Sequence, residues 1–160
     1  FNRASTFPYW FATIALLAAS SSYVNARLVR KLGMRMLTSI AFRAQVCFSA
    51  LVFFVYLLGY FEGQFGFFCF LFWMFSIFFQ AGLTMGNLTA LAMEPVGHIA
   101  GTAASLVSAI ATIGSVLLAA IVGQFFDGTP AAMIVGVALF ATLGAISSHR
   151  LKRYDRASKA

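Results

Sequence analysis

At 160 residues this chain is 61% hydrophobic, against roughly 45–50% for an ordinary soluble domain, and 9% charged, against roughly 25%. So much apolar surface excludes a water-soluble globule and points to an all-α integral membrane protein. The net charge of +7 raises a nucleic-acid reading, which the clustering of basic residues between and after apolar segments decides against.

The absence of a methionine ahead of Phe1 makes the chain read as a fragment or a trimmed product. Arg3, an apolar core and small residues at 18–22 resemble a secretory signal. The apolar segment, however, continues through Tyr23 and Val24 and then meets a basic cluster, as a membrane anchor does.

The first predicted helix covers about 8–28. Pro8 suits its first turn, where the missing amide proton has no helical partner. At ~1.5 Å per residue the helix is roughly 30 Å long, the thickness of a hydrocarbon core. Tyr9 and Trp10 fall where an interfacial aromatic belt sits. A basic loop follows, NARLVRKLGMR, with Arg27, Arg30, Lys31, Gly33 and Arg35. The second helix is predicted over 37–60, with Arg43 one to two turns inside it and able to snorkel back to the headgroups.

A short turn at 62–66 leads into a long third helix, 65–93. Its first half carries eight phenylalanines and Trp73. In its second half Ser76, Gln80, Thr84 and Asn87 recur at spacings of four, four and three, on one helical face. Such a polar stripe avoids lipid, and either packs against neighbouring helices through hydrogen bonds or lines a watery cavity. Pro95 and Gly97 end the helix, leaving a polar tip at Glu94–His98.

The fourth helix, 99–126, is small on several faces. Gly101, Ser105 and Ala109 form one stripe, Ala111, Ser115, Ala119 and Gly123 another, as expected of a helix that packs closely against its neighbours. Pro130 opens a fifth helix, 131–148, before a basic tail at 149–160. Cys47 and Cys69 lie inside apolar segments and read as small packing residues, neither a disulfide framework nor metal ligands.

Alternating sides, the basic loop, the Glu94–His98 tip and the tail share one face, which then holds ten of the eleven Lys and Arg residues, Arg3 alone lying opposite. By the positive-inside rule that face is cytoplasmic, the C-terminus is inside and the start of the chain is outside. The basicity is then a topological signal whose partner is the lipid bilayer, not nucleic acid.

The run Gly86, Asn87, Ala90, Leu91, Ala92, Met93, Glu94, Pro95, Gly97, His98, Ala100, Gly101, Thr102, Ala103 and Ser105 resembles the loop between the tenth and eleventh helices of major facilitator transporters of the bicyclomycin-resistance type. Lys31, Gly33 and Arg35 resemble the later part of that superfamily's glycine–acid–basic–glycine–basic loop motif, with Arg30 at the acidic position and Ala26 at the opening glycine. The resemblance implies five transmembrane helices from the C-terminal half of a twelve-helix fold, in an inner-membrane antiporter exchanging protons for amphipathic drugs. It implies an N-terminal half of the same transporter as partner and no cofactor. It also implies that Ser76, Gln80, Thr84 and Asn87 face the substrate cavity. The inner gate then falls to Arg27, Arg30, Lys31, Gly33, Arg35, Glu94, Pro95, Gly97 and His98. All four acids sit at helix ends or outside, so the proton carrier is expected elsewhere in the transporter, and the fragment alone is expected not to transport.

An enzyme reading rests on Glu94 and His98, four residues apart, but Pro95 and Gly97 break the helix that would align them and no third ligand is near. No catalytic or metal site is expected. A non-transporting membrane scaffold remains the alternative, since packing stripes serve scaffolds equally well.

Overall fold

The computed structural model describes residues 5–157, with side chains described as far as His149, and every element in it is helical. Arg3 and Lys159 of the charge count lie outside the described residues. The helices are α1 Phe7–Ala18, α2 Ser20–Leu32, α3 Met34–Leu57, α4 Gly63–Met93, α5 Ala100–Gln124 and α6 Ala131–Ala157, with a 3₁₀ turn, Glu94–Ile99, between α4 and α5.

The first expected helix is two segments. Ala19 keeps helical angles, φ −58° and ψ −24°, so no breaker residue divides them. Instead the Ser20 hydroxyl donates to the Leu17 carbonyl at 2.6 Å, and the Ser22 amide reaches only three residues back, to the Ala19 carbonyl at 3.2 Å. Serine competing for backbone carbonyls in this way bends helices. The second segment then continues through the expected basic loop to Leu32. The loop is a single residue, Gly33, at φ +77°, a left-handed conformation open to glycine and costly for other residues. With so short a joint, α3 starts at Met34 and ends at Leu57, about three residues ahead of expectation. At the other end α6 runs on through Ala157, so the tail expected from 149 is helical there.

Three stretches among the described residues are long and apolar enough to cross a membrane: Met34–Leu57, the 62 residues Gly63–Gln124, and Ala131–His149. The second, at ~1.5 Å per residue, is about three times a ~30 Å hydrocarbon core. It divides at the 3₁₀ turn, where Val96 leaves helical angles at φ −123°. Phe7–Leu32 is not among the three, because it divides at Ala19 into helices of 12 and 13 residues, each too short to cross by itself.

α4 is the central element and touches α1, α2 and α3, while α3 also packs along α6. The core gathers around Trp73, which is fully buried, with Ile14, Val52, Phe67, Leu71, Met74 and Ile134 beside it. Trp10 meets Phe67 and Phe68 edge-on at 5.5 and 6.0 Å, an arrangement favoured by the ring quadrupoles. Among the described residues three glycines set helix separations, one of them Gly136 on α6, where a Cβ would lie 2.8 Å from the Val122 side chain on α5. A Cβ on Gly82 would collide with the Ser21 hydroxyl, bringing α2 hard against α4, and one on Gly144 would meet the Phe42 ring at 2.8–2.9 Å, bringing α6 onto α3. Among the described residues α5 buries none of its own and meets only α4, the 3₁₀ turn and α6.

Candidate functional site

The polar stripe on α4 divides in two. Thr84 and Asn87 are buried, 3% and 5% exposed, and Asn87 donates to the Asn25 side-chain oxygen on α2 at 2.8 Å and to the Leu83 carbonyl at 2.8 Å. Asn87 thus binds α4 to α2. Thr84 also donates to the Gln80 carbonyl at 3.0 Å and accepts from the Gln80 amide at 3.2 Å, which orients the Gln80 side chain along the stripe. Ser76 closes on the Trp73 carbonyl at 2.7 Å.

Ser76 and Gln80 open onto a cavity of about 330 Å³ between α2, α3 and α4. Leu28 comes from α2, Leu37, Ile40, Ala41, Ala44, Gln45 and Phe48 from α3, and Phe72, Phe75, Phe79 and Leu83 from α4. The volume lies within the roughly 300–1,000 Å³ of small-molecule sites, and an apolar wall with a few polar groups is their usual chemistry. Phe48 and Phe72 meet edge-on at 5.5 Å, while Phe75 stacks against Phe72 and leans on Phe79 at 6.1 and 5.6 Å. Ring edges and faces are therefore both presented to an occupant. Gln45, Ser76 and Gln80 supply hydrogen bonds and no charge.

Gln45 was not expected from sequence. It is 3% exposed and donates to the Ser49 hydroxyl at 3.3 Å, which also accepts from the Trp73 indole at 3.0 Å. This buried chain ties α3 to α4 behind the cavity. Its signal was available: Thr38, Gln45 and Ser49 lie seven and four apart, on one face of α3, and all three are buried.

The gate candidates collect at one end. Arg35, in the first turn of α3, pairs with Glu94 at the start of the 3₁₀ turn at 3.2 Å. Their side chains are 41% and 64% exposed, and such surface pairs contribute about 0–1 kcal/mol. The pair registers α3 against the turn more than it stabilises the fold. Arg27 lies over the Tyr23 ring at 4.5 Å, and Arg30 donates to the Ala26 carbonyl at 3.1 Å, both along α2. Lys31, Pro95, Gly97 and His98 are exposed around this end, and Gly33 is the joint between α2 and α3.

The small residues of α5 stand apart from any such assembly. Gly101, Ser105, Ala109, Ala111, Ser115, Ala119 and Gly123 are exposed, and a Cβ on Gly101 or Gly123 would meet nothing within 4 Å. Ser105 donates within its own helix, to the Gly101 carbonyl at 2.9 Å.

Of the acids, Glu62 directly precedes α4 without a side-chain bond to its first turn, Glu94 opens the 3₁₀ turn and Asp127 lies in the α5–α6 connection. The Thr129 hydroxyl and amide donate to Asp127 at 2.6 and 2.9 Å, holding its carboxyl below the usual value of 3.8. Among the described residues no three His, Cys, Asp or Glu side chains come together as metal ligands, and both cysteines are free thiols. No family model, curated protein or solved structure matches the chain.

Proposed function

We propose that this chain forms the C-terminal portion of a proton-coupled exporter of amphipathic small molecules, of the major facilitator type that its 86–105 run resembles. The observation that carries the reading is the cavity of about 330 Å³ between α2, α3 and α4, aromatic on its walls and edged by Gln45, Ser76 and Gln80. Flat apolar faces with neutral hydrogen-bonding groups suit substrates that are mostly apolar with a few polar substituents. In this reading the chain makes five passes of the inner membrane: α1 with α2, then α3, α4, α5 and α6. The start of the chain is outside and its end in the cytoplasm. The small-residue face of α5, which is exposed, is where the N-terminal half of the transporter packs.

Alternating access then works by rocking one half against the other. The Arg35–Glu94 pair lies at the cytoplasmic end, where it holds α3 to the turn after α4 in one state and releases in the other. Gln80 orients substrate. The proton is carried by an acid of the other half, since Glu62, Glu94 and Asp127 all stand at helix ends or in a connection.

The test is reconstitution of the full-length transporter in liposomes with an imposed pH gradient. Gradient-driven export of amphipathic drugs is expected. Gln80→Ala is expected to change the ranking of drugs by several-fold in KM, about the loss of one hydrogen bond, with the pH dependence unmoved. Glu94→Gln is expected to keep coupled export at an altered rate. A protein that binds such drugs yet moves none under any gradient would return the chain to a scaffold, and loss of coupling in Glu94→Gln with binding intact would make Glu94 the proton carrier.

A further inference from the structure

A second groove, of about 630 Å³, lies between α3 and α6 and is lined by Arg43, Val46, Cys47, Thr142, Ala145, Ile146 and His149. Arg43, Val46 and Cys47 project from the face of α3 roughly opposite the one that lines the aromatic cavity, by the ~100° turn per residue of a helix. The groove is therefore separate from the proposed substrate site. Its chemistry is also different. Arg43 stands nine residues into an apolar helix, and among the described residues it makes no hydrogen bond or ion pair. A charge in such a segment is costly unless something pairs with it. Arg150, Lys152 and Arg153 follow His149 directly in the sequence, so the apolar stretch of α6 gives way to charge at this level.

We propose that this groove holds one acidic phospholipid, its phosphate on the Arg43 guanidinium and the His149 ring, and an acyl chain along Val46, Ala145 and Ile146. Charge complementarity selects this occupant. Two basic groups edge a groove whose remaining wall is almost wholly apolar, and basic pockets between membrane helices are recognised anionic-headgroup sites. A free phosphate satisfies only the rim. A zwitterionic lipid brings a second cation to a site that already holds one. The lipid also joins α3 to α6 where Gly144 already brings the two together against Phe42.

The experiment is native mass spectrometry of the purified chain in detergent, with phosphatidylglycerol and phosphatidylcholine of equal chain length offered together. One phosphatidylglycerol is expected to be retained on the order of fivefold or more over phosphatidylcholine, as a single well-placed basic group provides. Arg43→Gln is expected to abolish that preference, whereas Lys31→Gln, which removes an exposed cation from α2, leaves it unchanged. Ile146→Trp, which fills the groove with the charge intact, is expected to reduce retention of the lipid and serves if Arg43→Gln does not fold. Inorganic phosphate at equal concentration is expected not to displace the lipid. Equal retention of the two lipids, a preference that survives both Arg43→Gln and Ile146→Trp, one that Lys31→Gln lowers as much, or displacement by inorganic phosphate overturns the proposal.

Discussion

At the scale of single residues, this protein solves the problem of polar side chains among apolar helices by pairing them. Among the described residues no buried side-chain nitrogen or oxygen lacks a partner. Asn87 on α4 and Asn25 on α2 are one such pair, 62 residues apart in sequence and 2.8 Å apart in space. Removing either leaves the other amide short of a partner away from water, so Asn87→Ala is expected to lower stability by about 1–3 kcal/mol. The Asn25→Ala/Asn87→Ala cycle is expected to show a coupling of about 0.6–1.7 kcal/mol, as for interhelical bonds in other membrane proteins. Thermal unfolding in detergent measures both, and strictly additive losses sink the pairing. Asp127 makes the opposite kind of case, fully exposed yet perturbed by the hydroxyl and amide of Thr129. Its folded-state pKa is depressed, so its contribution to the α5–α6 turn is complete above the usual 3.8 and is lost as pH falls through the lowered value. The Thr129 amide resonance is expected to titrate with a midpoint below 3.8, moving up towards it in Thr129→Val. A midpoint at or above 3.8 in the unaltered protein contradicts that account.

At the scale of elements, close approach is bought with glycine. Gly144 admits the Phe42 ring onto α6, so Gly144→Leu is expected to destabilise the α3–α6 pair by about 1–3 kcal/mol through overpacking. Phe42→Ala in the same chain is expected to recover part of the loss, and no recovery means that the strain lies elsewhere. The end of α4 and the starts of α5 and α6 were legible in the sequence because proline and glycine punctuate them, at Pro95, Gly97 and Pro130. The division at Ala19 was not, since alanine favours helix and keeps helical angles there; the cause is a serine hydroxyl two bonds off the main chain. The basic segment beyond residue 28 was read as a loop, yet Arg30 and Lys31 are good helix formers, and the helix runs on until Gly33. The face holding Ser76, Gln80, Thr84 and Asn87 followed from spacing alone. Which of its members turn to a neighbour required knowing where Asn25 lies, and that is a matter of tertiary packing.

For the whole molecule, the arrangement of charge carries the strongest expectation about orientation. Arg35 and Glu94 join the start of α3 to the turn after α4, and Arg43 and His149 share a groove between α3 and α6; which side of a membrane these ends face is a matter for labelling. In a background without Cys47 and Cys69, cysteines at Gln64 and Phe126 are expected to react with an impermeant thiol reagent added to intact cells. Those at Lys31 and His98 are expected to react only after the membrane is opened. Labelling in the opposite order reverses the topology and with it the cytoplasmic gate.

The single residue between α2 and α3 gives this assembly a joint with two degrees of freedom, the φ and ψ of Gly33. Thirteen residues of α2 form a lever about 20 Å long on that joint. A swing of about 10° at Gly33 carries the far end of the lever by about 3 Å at that length, and at that end Ser21 presses against Gly82. A close approach of α2 to α4 thus lies where motion of the joint is most magnified. Leu28, partway along the lever, is the residue of α2 that lines the aromatic cavity, so a swing at Gly33 would move it against the α3 and α4 walls.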